Sequence, residues 1–310
     1  MIAPPVHDIA NAILYEGYIL YPYRPTALKN RQRFNFGVVV PEASAGGSDL
    51  STVGAQVLVR APETGPVEVQ VRFLHLTTRH VAETPWEEAI ERVVPITGTL
   101  GDLCRQPISY SSSWPAVETG GRTQESLAAH VELSASKVGS DGSVYRLALR
   151  ITNTTPGRDD GDASRGDYLK RSLVSTHALL HVEGGQFVSF LDPPAGLEGV
   201  VPGCECTGLF PVLVGEPALA DTMLASPIIL YDYPQIASES ALDFCDGTEI
   251  DEMLVLRVLT LTDAEKAEMR AGDPRARRLL EQLEQLPEEH LMRLHGTLRG
   301  LRPLDEEHPA

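Results

Sequence analysis

The chain has 310 residues, 42% hydrophobic and 22% charged, with 43 acidic against 26 basic side chains and a formal net charge of −17. A chain of this length builds one large core or two ordinary ones without covalent staples. No stretch approaches the roughly 18 apolar residues of a membrane-spanning helix. The acidic balance argues against nucleic-acid binding, which needs clustered Lys and Arg. A cationic partner or a metal is the more natural complement.

The charge is segregated. Residues 172–256 contain no Lys or Arg and thirteen Asp or Glu, so this stretch supplies −13 of the −17. Two readings follow: a solvated face that aids solubility, or a surface whose concentrated potential docks a partner or a cation. Residues 1–12 contain Asp8 and two prolines, with neither a basic nor an apolar signal region, so a cytoplasmic location is expected. The four cysteines, Cys104, Cys204, Cys206 and Cys245, are too few and too scattered for a disulfide framework and are expected as free thiols or ligands.

In chain order, residues 14–23 (aromatic-rich), 34–40 and 56–60 predict strands, and Val67, Val69, Val71 and Phe73 alternate with polar residues in another over 67–76. Thr84 as a cap, Pro85 at the first helical position and Glu87 completing a capping box predict a helix over 84–95, with Trp86, Ile90 and Val93 on one face. Residues 127–151 predict a hairpin turning at 139–142, and residues 153–166 a long exposed loop. A second hairpin is predicted from 173–182 through Gly184-Gly185 to 187–191. Strands joined by turns favour an antiparallel β-sandwich body over residues 1–240, in two sheets or subdomains with a long loop at 153–167. Residues 241–300 form a helical C-terminal arm. Thr248 caps a first helix there, although 255–261 also reads as a strand. Thr262 to Glu265 box a second, Asp273-Pro274 open a third, and a fourth runs over 288–298. Residues 301–310 are a polar tail. The fold class is α+β, mainly β.

Few residues point to chemistry. His177 and His181 fall on one face of a strand, too far apart for one ion. Cys204 and Cys206 point the same way on extended chain and, with Cys245, make the best candidate ligands for a soft divalent metal such as zinc, nickel or iron. A single Cys-x-Cys lacks the usual zinc spacing, and idle thiols are the simpler reading. Asp243, Asp246, Glu249, Asp251 and Glu252 surround Gly247 without the alternation of a calcium loop; helix-dipole stabilisation accounts for Glu249 and Asp251. No nucleophile elbow, phosphate loop, dinucleotide fingerprint or zincin motif occurs, so no catalytic residue is assigned. Residues 15–36 form a basic, aromatic cluster in which Tyr21, Tyr23, Arg24, Arg31 and Arg33 are candidate partner contacts, with Asp243, Asp246 and Glu249 as candidates at the acidic end. The same basic segment is equally suited to an edge strand guarded by charge, or to pairing with the acidic stretch of its own chain.

Several stretches are similar to a family of accessory proteins encoded beside high-affinity, actinobacterial-type nickel–iron (NiFe) hydrogenases. They are LYEGYILYPYRP at 14–25, RFNFG at 33–37, SPIILYDYPQIASES at 226–240 and FCDGTEIDEM at 244–253, with the likeness continuing through 259–271. Residues 43–221 lie outside it. The resemblance implies an assembly, maturation or scaffolding role beside a hydrogenase and carries over no catalytic residue. The expectation is a non-enzymatic factor binding a hydrogenase subunit or maturation partner. The alternatives are a metal-binding enzyme or metallochaperone using Cys204, Cys206 and Cys245, and a structural subunit of the hydrogenase complex.

Overall fold

Alternating apolar residues build two antiparallel sheets, and a helical stripe pattern at each end of the chain covers one of them. The computed structural model describes residues 2–18, 36–46, 48–81, 84–139, 143–157, 165–236 and 258–285. Its strands are β1 Thr52–Arg60, β2 Pro66–Val81, β3 Thr84–Thr99, β4 Ile108–Trp114, β5 Val117–Thr119, β6 Arg122–Gln124, β7 Leu127–Val138 and β8 Val144–Asn153. They continue with β9 Val174–Val182, β10 Gln186–Phe187, β11 Cys206–Thr207, β12 Phe210–Val214 and β13 Thr222–Ser226. The helices are α1 Pro4–Leu14, α2 Leu100–Arg105, α3 Arg165–Leu169, α4 Asp263–Ala271 and α5 Pro274–Glu284.

The first sheet runs β10-β1-β8-β7-β4, with β11 also on β1; the second runs β12-β13-β9-β2-β6-β5, with β3 along the other edge of β2. Val57 lies opposite Leu147 in the first sheet and Val69 opposite Leu180 in the second. These inward residues meet Val71, Phe73, Val131 and Leu133 in one core between the sheets. Each fully buried Val, Leu or Phe there contributes about 1.5–3 kcal/mol.

The second sheet is covered on its outer face as well. Pro4 and Pro5 open α1, where the first amides need no helical partner. Val6, Ala10 and Ile13 then form a stripe against Leu179, Val212 and Leu224. At the other end, Thr262 and Glu265 close the expected capping box of α4, and Asp273 caps α5 by accepting from the Arg275 amide. Ala276, Leu279, Leu280 and Leu283 recur at helical spacing and cluster with Leu74, Leu76 and Val174. Every residue of β9 is therefore buried.

Five expectations need correction. Residues 84–95 belong to β3, not a helix: each residue from Thr84 to Thr99 pairs with β2. Pro85 and Pro95 are tolerated because β3 has a ladder partner on one side only. The capping signature lost to sixteen paired residues. Residues 14–23 are no strand as far as they are described, since Leu14 ends α1 and a turn follows to Tyr18; residues 19–23 lie outside the described residues. Residues 36–40 contribute one bridging residue, Val39, rather than a strand. The second expected hairpin does not close on itself, because β10 pairs with β1 of the opposite sheet while the Phe187 amide reaches the Ala220 carbonyl. The loop after β8 is anchored rather than exposed at its start: Asn153 is buried, donates to the carbonyls of Val39 and Arg171, and accepts from the Thr155 amide. The hairpin of β7 and β8 and the mainly antiparallel α+β architecture stand as expected. The helices expected from Thr248 and over 288–298 lie outside the described residues.

Candidate interaction surface

β13 ends at Ser226, and the chain leaves the sheet as Pro227-Ile-Ile-Leu-Tyr-Asp-Tyr-Pro234. Prolines bracket the run, but its shape comes from three anchors. The Ser226 hydroxyl donates to the Ile228 carbonyl at 2.8 Å. Asp232 accepts from the Leu213 amide at 2.8 Å and from the Ser189 hydroxyl at 2.5 Å. The Tyr233 amide donates to the Leu213 carbonyl at 2.7 Å. Tyr233 sits at a φ of 55°, a left-handed conformation costing a bulky residue about 1–3 kcal/mol, which these bonds offset. Burial and the Asp232 charge both raise its phenol above the ordinary tyrosine range.

With Leu230 packed against the α1 cluster and Asp232 bonded inward, the alternate side chains are forced out. Ile229 is 74% exposed and Tyr231 85%. Leu191 is exposed beside them: its amide and that of Asp192 donate to Ser189 Oγ, the group that holds Asp232. Leu219 is exposed two residues beyond Pro217, whose carbonyl accepts from the Tyr233 hydroxyl. Three loops, 189–192, 216–219 and 228–233, are thus bonded into one surface.

That surface lies wholly within the stretch lacking Lys and Arg. Asp192 and Glu216 are exposed on the same loops, and Glu183, Glu198 and Glu205 are exposed elsewhere in the stretch. A protruding isoleucine and tyrosine on an anchored backbone, in acidic surroundings, fit a partner with an apolar pocket rimmed by Lys or Arg. Tyr is the side chain that most often anchors such contacts, and a prearranged loop loses little entropy on binding.

The residues singled out from sequence fare unequally. Tyr21, Tyr23, Arg24, Arg31, Arg33, Asp243, Cys245, Asp246 and Glu249 lie outside the described residues. Cys204 and Cys206 are described. Cys204 follows a one-turn 3-10 helix, and Cys206 lies opposite Ala55 in β11, its Sγ turned toward the Gln56 carbonyl at 3.9 Å. Burial raises both thiols above their ordinary range, with Arg146 opposing it at Cys204 and the Gln56 hydrogen bond opposing it at Cys206. Among the described residues no three His, Cys, Asp or Glu side chains gather as a metal site.

His177 and His181 do face away from the sandwich core, yet both are buried beneath other elements. His177 Nδ1 bonds the Ser175 carbonyl at 2.9 Å, and His181 Nδ1 bonds Thr222 Oγ1 at 3.1 Å, so they serve different neighbours. The cross-strand neighbour of His177 is the buried Arg72, which donates to Glu91 at 2.6 Å and to Asn11 of α1 at 2.5 Å. Burial, with a smaller contribution from Arg72, pushes His177 down to about 4. Sequence reasoning missed Ile229 and Tyr231, because an alternating Ile-Leu-Tyr-Asp run reads as strand until exposure is known; the prolines at 227 and 234 were the available signal.

Neither a protein-family model nor a curated protein matches the chain. Among the described residues no helix is long and apolar enough to cross a membrane.

Proposed function

We propose that the chain is a non-enzymatic accessory factor that acts by protein–protein binding, and that its partner is a subunit or maturation factor of a nickel–iron hydrogenase. The observation that carries the binding role is the anchored display of Ile229 and Tyr231 inside the cation-free acidic stretch. The choice of partner rests on the resemblance at 14–25, 33–37, 226–240 and 244–253, of which 226–240 includes the displayed loop itself. Isolation of the tagged full chain from its native host tests this: hydrogenase or maturation subunits are expected to co-purify. Recovery without either, together with unchanged hydrogen uptake after deletion of the gene, overturns it. Persistence in the mature, active hydrogenase marks a structural subunit; loss on maturation marks an assembly factor.

A further inference from the structure

A cleft of about 280 Å³ opens where the starts of β1, β9 and β12 meet Gly37 and Pro227, the residue that begins the Ile229 loop. Its walls are apolar: Leu50, Val53, Phe210 and Pro227 line it, and Leu50 and Phe210 are exposed. Its two charged residues among those described, Asp49 and Arg165, are already matched to each other. Arg165 donates to Asp49 at 2.7 Å and to the Tyr168 hydroxyl at 2.8 Å, and that hydroxyl donates to Asp49 at 3.0 Å. The described lining is therefore electrically balanced and does not call for an ion.

β9 enters this place irregularly. Its register on β2 slips between Arg72 and Leu74, and Ser175 stands at a φ of 54°. The Ser175 and Thr176 amides donate to the Phe36 and Gly37 carbonyls at 3.3 and 2.9 Å. A bulge of this kind re-aims a side chain. The one affected is Thr176, which shares the inward parity of Ala178, Leu180 and Val182 and lines the cleft. Thr176 is 1% exposed, and its Oγ1 has no hydrogen-bond partner among the described residues. A buried hydroxyl left bare is destabilising, and valine would fill the same space without that penalty. Packing accounts for the side chain but not for its oxygen.

We infer that the cleft binds a small uncharged molecule with a ring-sized apolar body and one hydroxyl, the body against Phe210 and Pro227 and the hydroxyl bonded to Thr176 Oγ1. The volume lies at the small end of ligand pockets, roughly 300–1,000 Å³, which suits a single ring and not a nucleotide. A ligand hydroxyl both donates and accepts, and so does that of Thr176, so the pair satisfies itself in either sense. The site is independent of the hydrogenase reading, because it is tested on the isolated chain. Phenol and toluene, which differ by a hydroxyl in place of a methyl, are the probes. Amide chemical-shift titration of the full-length protein with phenol is expected to saturate in roughly the millimolar range, as suits a single-ring ligand, with the changes centred on Gly37, Thr176 and Gly208. Thr176→Val is expected to weaken phenol about three- to tenfold, the loss of one hydrogen bond, while toluene binding and the urea midpoint do not fall. Phe210→Ala, at an exposed wall, weakens both probes alike. No saturation by phenol, phenol binding unchanged in Thr176→Val, an equal loss of toluene in that variant, or a lowered midpoint showing that the hydroxyl already has a partner, each overturns the assignment.

Discussion

Tyr18 Oη donates to Asp273 Oδ2 across 255 residues of chain, and the bond is buried. The same hydroxyl accepts from the Ala89 amide at 3.2 Å. One phenol therefore joins the turn after α1, the edge strand β3 and the cap of α5. Tyr18→Phe strands a buried carboxylate oxygen and is expected to cost about 1.5–3 kcal/mol. Asp273→Ala loses that bond and the helix cap, adding about 1 kcal/mol. Urea midpoints check both; a Tyr18→Phe midpoint equal to wild type contradicts the account.

Stability is expected to fall on mild acidification. His75 is wholly buried, with Nε2 against the Glu125 carbonyl at 3.1 Å; burial and the Arg92 charge push it down to about 4, the same value as His177. A histidine depressed in the fold is neutral there while its unfolded counterpart takes a proton near 6.5. Their contribution is complete above that value and is lost as pH falls toward about 4. Each site is worth on the order of 3 kcal/mol at its limit. Denaturation series between pH 7 and pH 4.5 should show the slope, and His75→Phe should flatten it; an unchanged slope in that variant rejects the role of His75.

Ile229→Asp with Tyr231→Asp should leave the fold intact, within about 0.5 kcal/mol per exposed site. Partner capture should fall by at least about thirtyfold, the loss of one anchoring side chain worth about 2 kcal/mol. Added salt should weaken the wild-type complex through its charged rim. Val117→Asp, on β5 at the opposite end of the sheet order, is the matched control. Equal capture by the double variant and wild type removes the loop as the docking element.

The cysteines allow a cheap discrimination. A soft metal must displace the thiol protons of Cys204 and Cys206, both held above their usual range. Protein purified without chelators is expected to carry only trace zinc, nickel or iron. A stoichiometric metal that disappears in Cys204→Ser establishes the metal-binding alternative instead.

Gly37, the last residue of the RFNFG stretch, has a φ of 57°, and a Cβ there would lie 2.7 Å from Pro227 Cγ and 3.1 Å from Ser175 Cα. Gly37→Ala adds a conformational penalty of about 1–2 kcal/mol and overpacking of about 1–3 kcal/mol. Because the clash falls on the residue that starts the Ile229 loop, partner capture should weaken along with the denaturation midpoint. An unaffected midpoint shows that the backbone yields there.

Local pattern made some of this architecture legible and distant partners hid the rest. Residues 127–151 carry both the alternation and the turn of their own hairpin, so nothing outside them was needed. Thr84-Pro85-Trp86-Glu87 is a sound helix start in isolation and became strand only because β2 supplies a partner along its whole length. Gln186 and Phe187 make too short a strand to announce itself, and their partner lies in the other sheet. The helix over Pro4–Leu14 was not expected: its stripe of Val6, Ala10 and Ile13 has only three apolar positions, and what makes it a helix face is the sheet it covers. The acidic stretch was plain in the composition, whereas its role as a setting for Ile229 and Tyr231 depends on exposure, which composition does not contain.

Leu74 and Leu76 lie in the first quarter of the chain, and the residues that cover them, Leu279, Leu280 and Leu283, come on the order of 200 residues later. At about 5–20 residues per second the ribosome leaves that face of the sheet bare for tens of seconds. The growing polypeptide therefore presents a sticky leucine surface well before its lid is synthesised. A chain that stops short of α5 keeps that leucine surface uncovered.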